Sequence, residues 1–169
     1  MIKLGIIGLG NVCLGVHLPI LKSRTDIQIT WICDKSNIAK NLSNKINIPY
    51  FEEIDQALKV SCPDIVLIAT PYNTREKIFE KIKNKVKGVY CEKPFALSSE
   101  EHSNYINGYE KHAFTIGYQR RALGNVQILK NLISNNILGK IKEIFIEFGD
   151  VHYSFDEFRS KKNIAGGGI

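Results

Sequence analysis

A lysine at position 93 sits in Cys91-Glu92-Lys93-Pro94, at the end of the apolar run Val86–Cys91. Such a run reads as a buried strand. A lysine at its carboxyl end is poorly placed for packing. It is well placed for chemistry, because open α/β sheets bind ligands outside the carboxyl ends of their strands. Proline narrows its own backbone and that of the residue before it. The Lys93 ammonium is therefore presented from a stiff edge, where it can polarise or protonate a substrate oxygen. Taken alone, the same pattern also reads as a solvated lysine ending a strand.

Four other stretches carry groups of the same kind. Gly8-Leu9-Gly10-Asn11-Val12-Cys13 follows a short apolar run and opens a helical one. Gly8 allows a tight turn, and Gly10 lets the backbone approach a pyrophosphate at a helix N-terminus. The third glycine of the usual fingerprint is replaced by Cys13, which is still small. Asp34 ends the next apolar run, where an acid accepts hydrogen bonds from a ribose and repels a 2′-phosphate. That favours NAD. Lys35 stands beside it, and a cation there also suits NADP. Asp34 serves equally as a helix N-cap. In Thr70-Pro71-Tyr72-Asn73, Thr70 and Asn73 offer hydrogen-bonding groups and Pro71 can wall a planar ring. The alternative is plain helix initiation, with Asn73 as the cap. Tyr118-Gln119-Arg120-Arg121 offers polar and cationic groups for a hydroxylated or anionic ligand. His17, His102, His112 and His152 show no ligand spacing and read as structural or exposed, and no metal site is expected.

The elements that must position these groups alternate. Strand-like runs fall at Lys3–Ile7, Ile27–Cys33, Pro49–Phe51, Ile65–Thr70, Val86–Cys91 and Ala113–Gly117. Helical stretches follow the glycine turn through Leu21 and cover Asn37–Lys45, Glu53–Val60, Asn73–Lys83 and the residues after Ser98 or Ser99. Repeated βαβ units with near-continuous apolar strands predict an α/β fold, a doubly wound parallel sheet with helices on both faces. After Gly117 the pattern changes. Arg121–Ser134 reads as an amphipathic helix and Ile141–Phe148 as a strand. The expected domains are a dinucleotide-binding Rossmann unit over 1–118 and the start of an α/β substrate domain over 119–169.

Composition narrows the classes. Of 169 residues, 44% are hydrophobic and 24% charged, as in an ordinary globular chain. The net charge of +6 comes from lysines scattered over helix faces, not from a basic stripe with aromatics, so nucleic acid is not an expected partner. Four cysteines without a C-x-x-C pair read as small buried hydrophobes in a reducing compartment. No apolar stretch reaches membrane-spanning length. A cytoplasmic protein acting on a small molecule is the expectation.

Taken in order, these motifs resemble the Gfo/Idh/MocA family of NAD(P)-dependent oxidoreductases. Gly8-Leu9-Gly10-Asn11-Val12, Cys33-Asp34, Thr70-Pro71, Glu92-Lys93-Pro94, Gly117-Tyr118-Gln119-Arg120-Arg121 and Ala165-Gly166-Gly167-Gly168 carry the resemblance. It implies that Gly8, Gly10, Asn11, Val12, Asp34, Lys35, Thr70, Pro71, Asn73, Glu92 and Lys93 face the dinucleotide. It further implies that Lys93 is catalytic, with Tyr118, Gln119 and Arg120 on the substrate side. The substrate would be a sugar, polyol or sugar nucleotide, with hydride transfer at a carbinol carbon. Two departures stand out. Arg75 occupies a position where the family commonly has histidine. The sequence also ends before the helix that usually supplies an aspartate and a histidine, which suggests an N-terminal fragment with little turnover of its own. A non-catalytic dinucleotide-binding module, or half of a split enzyme, is the alternative. An uncovered strand at Ile141–Phe148 would favour a homo-oligomer or association through that strand.

Overall fold

The computed structural model describes residues 1–107, 109 and 113–147. Its centre is one sheet of six strands, all pairs parallel, in the order β3-β2-β1-β4-β5-β6. The strands are β1 (Ile2–Ile7), β2 (Ile27–Cys33), β3 (Tyr50–Phe51), β4 (Ile65–Ile68), β5 (Gly88–Cys91) and β6 (Ala113–Ile116). The helices are α1 (Leu18–Ser23), α2 (Asn37–Ile46), α3 (Ile54–Val60), α4 (Arg75–Ile82), α5 (Ser99–Ile106) and α6 (Gly124–Ser134). The predicted doubly wound sheet is present. Because β1 pairs with β2 on one side and β4 on the other, the strand order reverses between β1 and β4. A crevice forms at such a switch point, at the carboxyl ends of the strands.

Successive strand side chains point to opposite faces, and the core divides accordingly. Leu4, Ile6, Ile32 and Leu67 pack with Leu9, Cys13, Leu18 and Ala39 on the face of α1 and α2. Ile7, Trp31, Cys33, Val66, Ile68, Val89 and Cys91 pack with residues of α3, α4 and α5 on the other. Burial on both faces explains why these strands read as unbroken apolar runs. Cys13, Cys33 and Cys91 are buried within these cores, as their neighbours suggested, while Cys62 is exposed. Phe79, Phe95, Tyr105, Tyr109 and Phe114 form an aromatic cluster; Phe95 meets Phe79, Tyr105 and Phe114 edge-on at 5.7, 5.6 and 5.3 Å.

Helix ends follow local chemistry. Ser36 caps α2, its side chain accepting from the Ala39 N–H. Ser98 caps α5 by accepting from the Glu101 N–H. The α2 cap is therefore Ser36 and not Asp34, which leaves the Asp34 carboxylate for other work. At α4 the cap position is Thr74 and not Asn73. A 3₁₀ turn over Tyr72–Thr74 precedes that helix.

The predicted helix after Gly117 is present as a 3₁₀ turn over Gln119–Ala122 followed by α6. The predicted strand does not form: residues 141–147 pair with no strand among the described residues, and Phe148 lies outside them. A strand is stabilised by its ladder, and alternating Ile144, Ile146 and Phe145 supply only the pattern. These three side chains are 69%, 82% and 84% exposed.

Ile68 is fully buried at the centre of the sheet. Ile68→Ala is expected to lower the unfolding free energy by about 2–5 kcal/mol. A urea titration followed by the fluorescence of Trp31, the one tryptophan in the chain, measures this directly. A loss below about 1 kcal/mol would contradict the position given to β4.

Candidate functional site at the carboxyl edge of the sheet

Five of the six strands run out at this edge into the segments singled out by sequence: Gly8–Val12, Asp34-Lys35, Thr70-Pro71, Glu92-Lys93 and Tyr118–Arg120. Parallel pairing is what gathers them. Each follows the carboxyl end of its own strand, so all lie on one side of the sheet.

The glycine turn comes first. Gly8 has φ of +91°, and a Cβ there would sit 2.7 Å from Thr70 Cγ2 and 2.8 Å from the Ala69 backbone. Glycine is required by both conformation and space, and this close approach sets Thr70 against the turn. A Cβ on Gly10 would meet nothing within 4 Å, so the space above it is open. Asp34 closes the rim: its Oδ2 accepts from the Leu9 N–H at 2.7 Å and its Oδ1 from the Ser36 N–H at 2.7 Å. The acid at the end of β2 is thereby fixed against the glycine turn after β1. Lys35 is exposed and lies 3.6 Å from Glu53. Asn11 is exposed and Val12 half-buried at the start of the helical segment.

That segment opens with a wide, π-type turn over Cys13–His17 before α1 begins. Burial pushes the Cys13 thiol up to about 12, aided by the Asp34 and Glu92 charges, so it behaves as a small apolar residue. The turn carries His17, whose Nε2 lies 2.8 Å from Glu92 Oε1. This corrects the sequence reading, which gave His17 no part in the site. Residues 17 and 92 are far apart in sequence, and neither spacing nor composition signals their meeting. Wide turns of this type recur at functional sites.

Glu92 is itself buried, at 6% exposure. Besides His17 it accepts from Gln119 Nε2 at 3.1 Å and from the Lys93 backbone N–H at 3.2 Å. The Tyr90 hydroxyl stands 3.5 Å away. Gly117 leaves this carboxylate its room: a Cβ there would lie 3.0 Å from Oε1. Burial pushes the Glu92 carboxyl up, but the His17 bond and charge, the Lys93 N–H and the Lys93 charge together outweigh it. The group is held below its ordinary value of 4.5.

Lys93 and Pro94 are exposed, whereas Glu92 before them and Phe95 after them are buried. Phe95 is anchored in the aromatic cluster. Arg75 adds a third tie. Its guanidinium donates to the Pro94 carbonyl and, at 3.1 Å, to the Thr70 carbonyl, bridging the loops after β4 and β5. Arg75 is 1% exposed and forms no ion pair with an acid among the described residues; its Nε has no hydrogen-bond partner. Burial pushes the adjacent Cys91 thiol up to about 11, with the Arg75 charge and its hydrogen bond to the sulfur opposing that rise. The sequence marked Arg75 only as a departure and gave no sign of its burial.

Thr70 is half-buried and Pro71 and Asn73 are exposed. Tyr118, Gln119 and Arg120 are exposed too; of these, Gln119 is tied into the Glu92 network. A cavity of about 360 Å³ opens beside the loops, lined by Tyr72, Glu76, Glu100, Glu101 and Tyr105 among others. Its acidic lining disfavours an anionic ligand. Glu101 instead organises the loop after Pro94, accepting from Tyr72 at 2.5 Å, Tyr105 at 2.9 Å and the Leu97 N–H at 2.8 Å. No cluster of three metal-ligating side chains occurs among the described residues. No helix among them is long and apolar enough to cross a membrane.

A switch-point crevice with a glycine turn, open space above Gly10 and an acid at its rim defines a dinucleotide-binding α/β unit. Comparison with known proteins makes the assignment specific. Residues 2–118 match the Gfo/Idh/MocA oxidoreductase family with an NAD-binding Rossmann fold. The chain belongs to that family, and residues 2–118 are its NAD-binding Rossmann domain. It is 30% identical over 151 residues to glucose-6-phosphate 3-dehydrogenase of Bacillus subtilis, covering 88% of this chain and 42% of that protein. It is 28% identical over 145 residues to 2,7-anhydro-N-acetylneuraminate hydratase of Escherichia coli, covering 83% and 38%. Among solved structures, the WlbA dehydrogenase of Chromobacterium violaceum, in complex with NADH and UDP-GlcNAcA, superposes with a TM-score of 0.73 at 20% identity. That match covers 82% of this chain and 41% of the other, and it speaks to the fold alone. The chain thus spans about two-fifths of the length of the curated relatives it matches.

The Glu92 carboxyl is depressed in the fold, so its stabilising contribution is full above its ordinary value of 4.5 and is lost as pH falls through the lower folded value. The stability advantage of the wild type over Glu92→Gln should therefore shrink once the pH drops below 4.5. Urea titrations of both proteins from about pH 7 to about pH 3 test this. An advantage that stays constant or grows over that range contradicts the buried, ionised carboxylate.

Proposed function

We propose that this chain carries the cofactor-binding portion of an NAD-dependent dehydrogenase acting on a carbinol of a sugar, polyol or sugar nucleotide. The observation that carries the reading is the exposed Lys93 ammonium held between two buried anchors, Glu92 and Phe95, on the edge that also bears the glycine turn. Family membership and relatives named as acting on a sugar phosphate and a sialic acid derivative support the substrate class.

In this reading, the backbone of Gly8–Val12 takes the pyrophosphate, with the helical segment behind it adding a favourable field. Asp34 takes the adenosine ribose through acceptor positions left beside its two backbone bonds. Thr70, Pro71 and Asn73 wall the nicotinamide side, and Glu92 fixes the loop there. Nicotinamide supplies hydride donation or acceptance when bound. Lys93 donates a proton or hydrogen bond to the substrate carbonyl oxygen during reduction and takes it back during oxidation. Tyr118, Gln119 and Arg120 face the substrate. Lys35 is the group that would meet a 2′-phosphate, which leaves NADP as a weaker ligand.

Asp34→Ala is expected to weaken NAD binding by about tenfold or more while changing NADP binding by less, because removal of the acid also removes its repulsion of the 2′-phosphate. Calorimetry with both dinucleotides measures the two constants. A larger loss for NADP would remove Asp34 from the ribose site. Lys93→Ala should leave the NAD dissociation constant within about threefold of wild type. A loss of tenfold or more in the same experiment would assign Lys93 to the cofactor and not to the reaction.

A further inference from the structure

Arg75 is a fully buried cation without an acidic partner among the described residues. That arrangement is costly, since a buried charge is ordinarily paired. Its position adds to the cost. Arg75 is the first residue of α4, and a cation at a helix N-terminus meets the positive end of the macrodipole. Carbonyl oxygens of Thr70 and Pro94 take two of its donors and the Cys91 side chain is a further, weak partner, while Nε has no hydrogen-bond partner among the described residues.

The guanidinium lies directly behind the two loops that flank one half of the crevice. Thr70 packs against the glycine turn, since a Cβ on Gly8 would clash with its methyl group at 2.7 Å. Pro94 follows Lys93. Asp34 holds the β2 side of the crevice. A dinucleotide laid across the switch point with its adenosine ribose at Asp34 therefore extends its other half over β4 and β5, above Arg75. The oxidised nicotinamide ring bears a positive charge and the reduced ring is neutral. A buried charge acts on the ring through low-dielectric protein, whereas the exposed Lys93 ammonium acts through water.

We propose that Arg75 sets the redox-state preference of the site, discriminating against the oxidised nicotinamide and favouring the reduced one. The inference rests on the cofactor orientation proposed above. It makes Arg75 a specificity-determining residue that acts through its charge.

The test measures dissociation constants of NADH and NAD⁺ for the wild type, Arg75→Lys and Arg75→Gln, with NADH followed by its fluorescence and NAD⁺ by calorimetry. Wild type should bind NADH more tightly than NAD⁺. Arg75→Gln should reduce that ratio by about three- to tenfold, chiefly by tightening NAD⁺, while Arg75→Lys keeps it. A wild-type ratio at or below unity overturns the proposal even if neither variant folds. An unchanged ratio in a folded Arg75→Gln protein overturns it as well. Binding of neither dinucleotide by the wild type overturns the cofactor reading itself and the proposal with it, which separates the two failures.

Discussion

The geometry of the edge depends on one buried carboxylate. Glu92 lies where water cannot solvate it, so its oxygens must find donors in the protein. They come from four places: His17 in the turn before α1, Gln119 in the turn after β6, the Tyr90 hydroxyl on β5, and the backbone of Lys93 itself. Removing one partner from such a network costs more than the bond is worth, because the remaining charge stays buried. The segments that follow β1 and β6 are thereby tied to the end of β5. With Glu92 held below and Phe95 held in the aromatic cluster, Lys93 between them has nowhere to go but outward.

Much of this was legible in the sequence, for identifiable reasons. Strands buried on both faces are apolar throughout, so β1, β2, β4 and β5 stood out as runs, and the glycines between β1 and the next helix marked the turn. Parallel topology then puts the ends of all those runs on one edge without further information. Strand ends were read too long at Ala69-Thr70 and at Val86-Lys87, where the chain stays apolar or extended but the ladder has ended. The alternation in residues 141–147 suggested a strand, but a pattern cannot supply the neighbouring strand that a ladder needs. His17 and Arg75 were illegible for another reason. Their roles come from contacts with Glu92 and Pro94 on a different strand end, and a histidine or arginine on a helix carries no mark of what the fold brings to it.

Two charges are buried at this edge, and they are managed differently. Glu92 is surrounded by donors and stays ionised. Arg75 meets no acid among the described residues; it is held by the Thr70 and Pro94 carbonyls and the Cys91 side chain, which stabilise a cation less than a carboxylate does. The Arg75 charge lies directly behind the loops that carry Thr70 and Pro94.

The central claim is that the carboxyl edge of β1, β2, β4 and β5 is one dinucleotide site. Amide NMR shift mapping on addition of NADH tests it most directly. The account predicts shifts in the amides of Gly8–Val12, Asp34 to Ser36 and Glu92-Lys93, with the opposite edge of the sheet unchanged. Shifts concentrated instead around Tyr72, Glu101 and Tyr105, with the glycine turn silent, would contradict it.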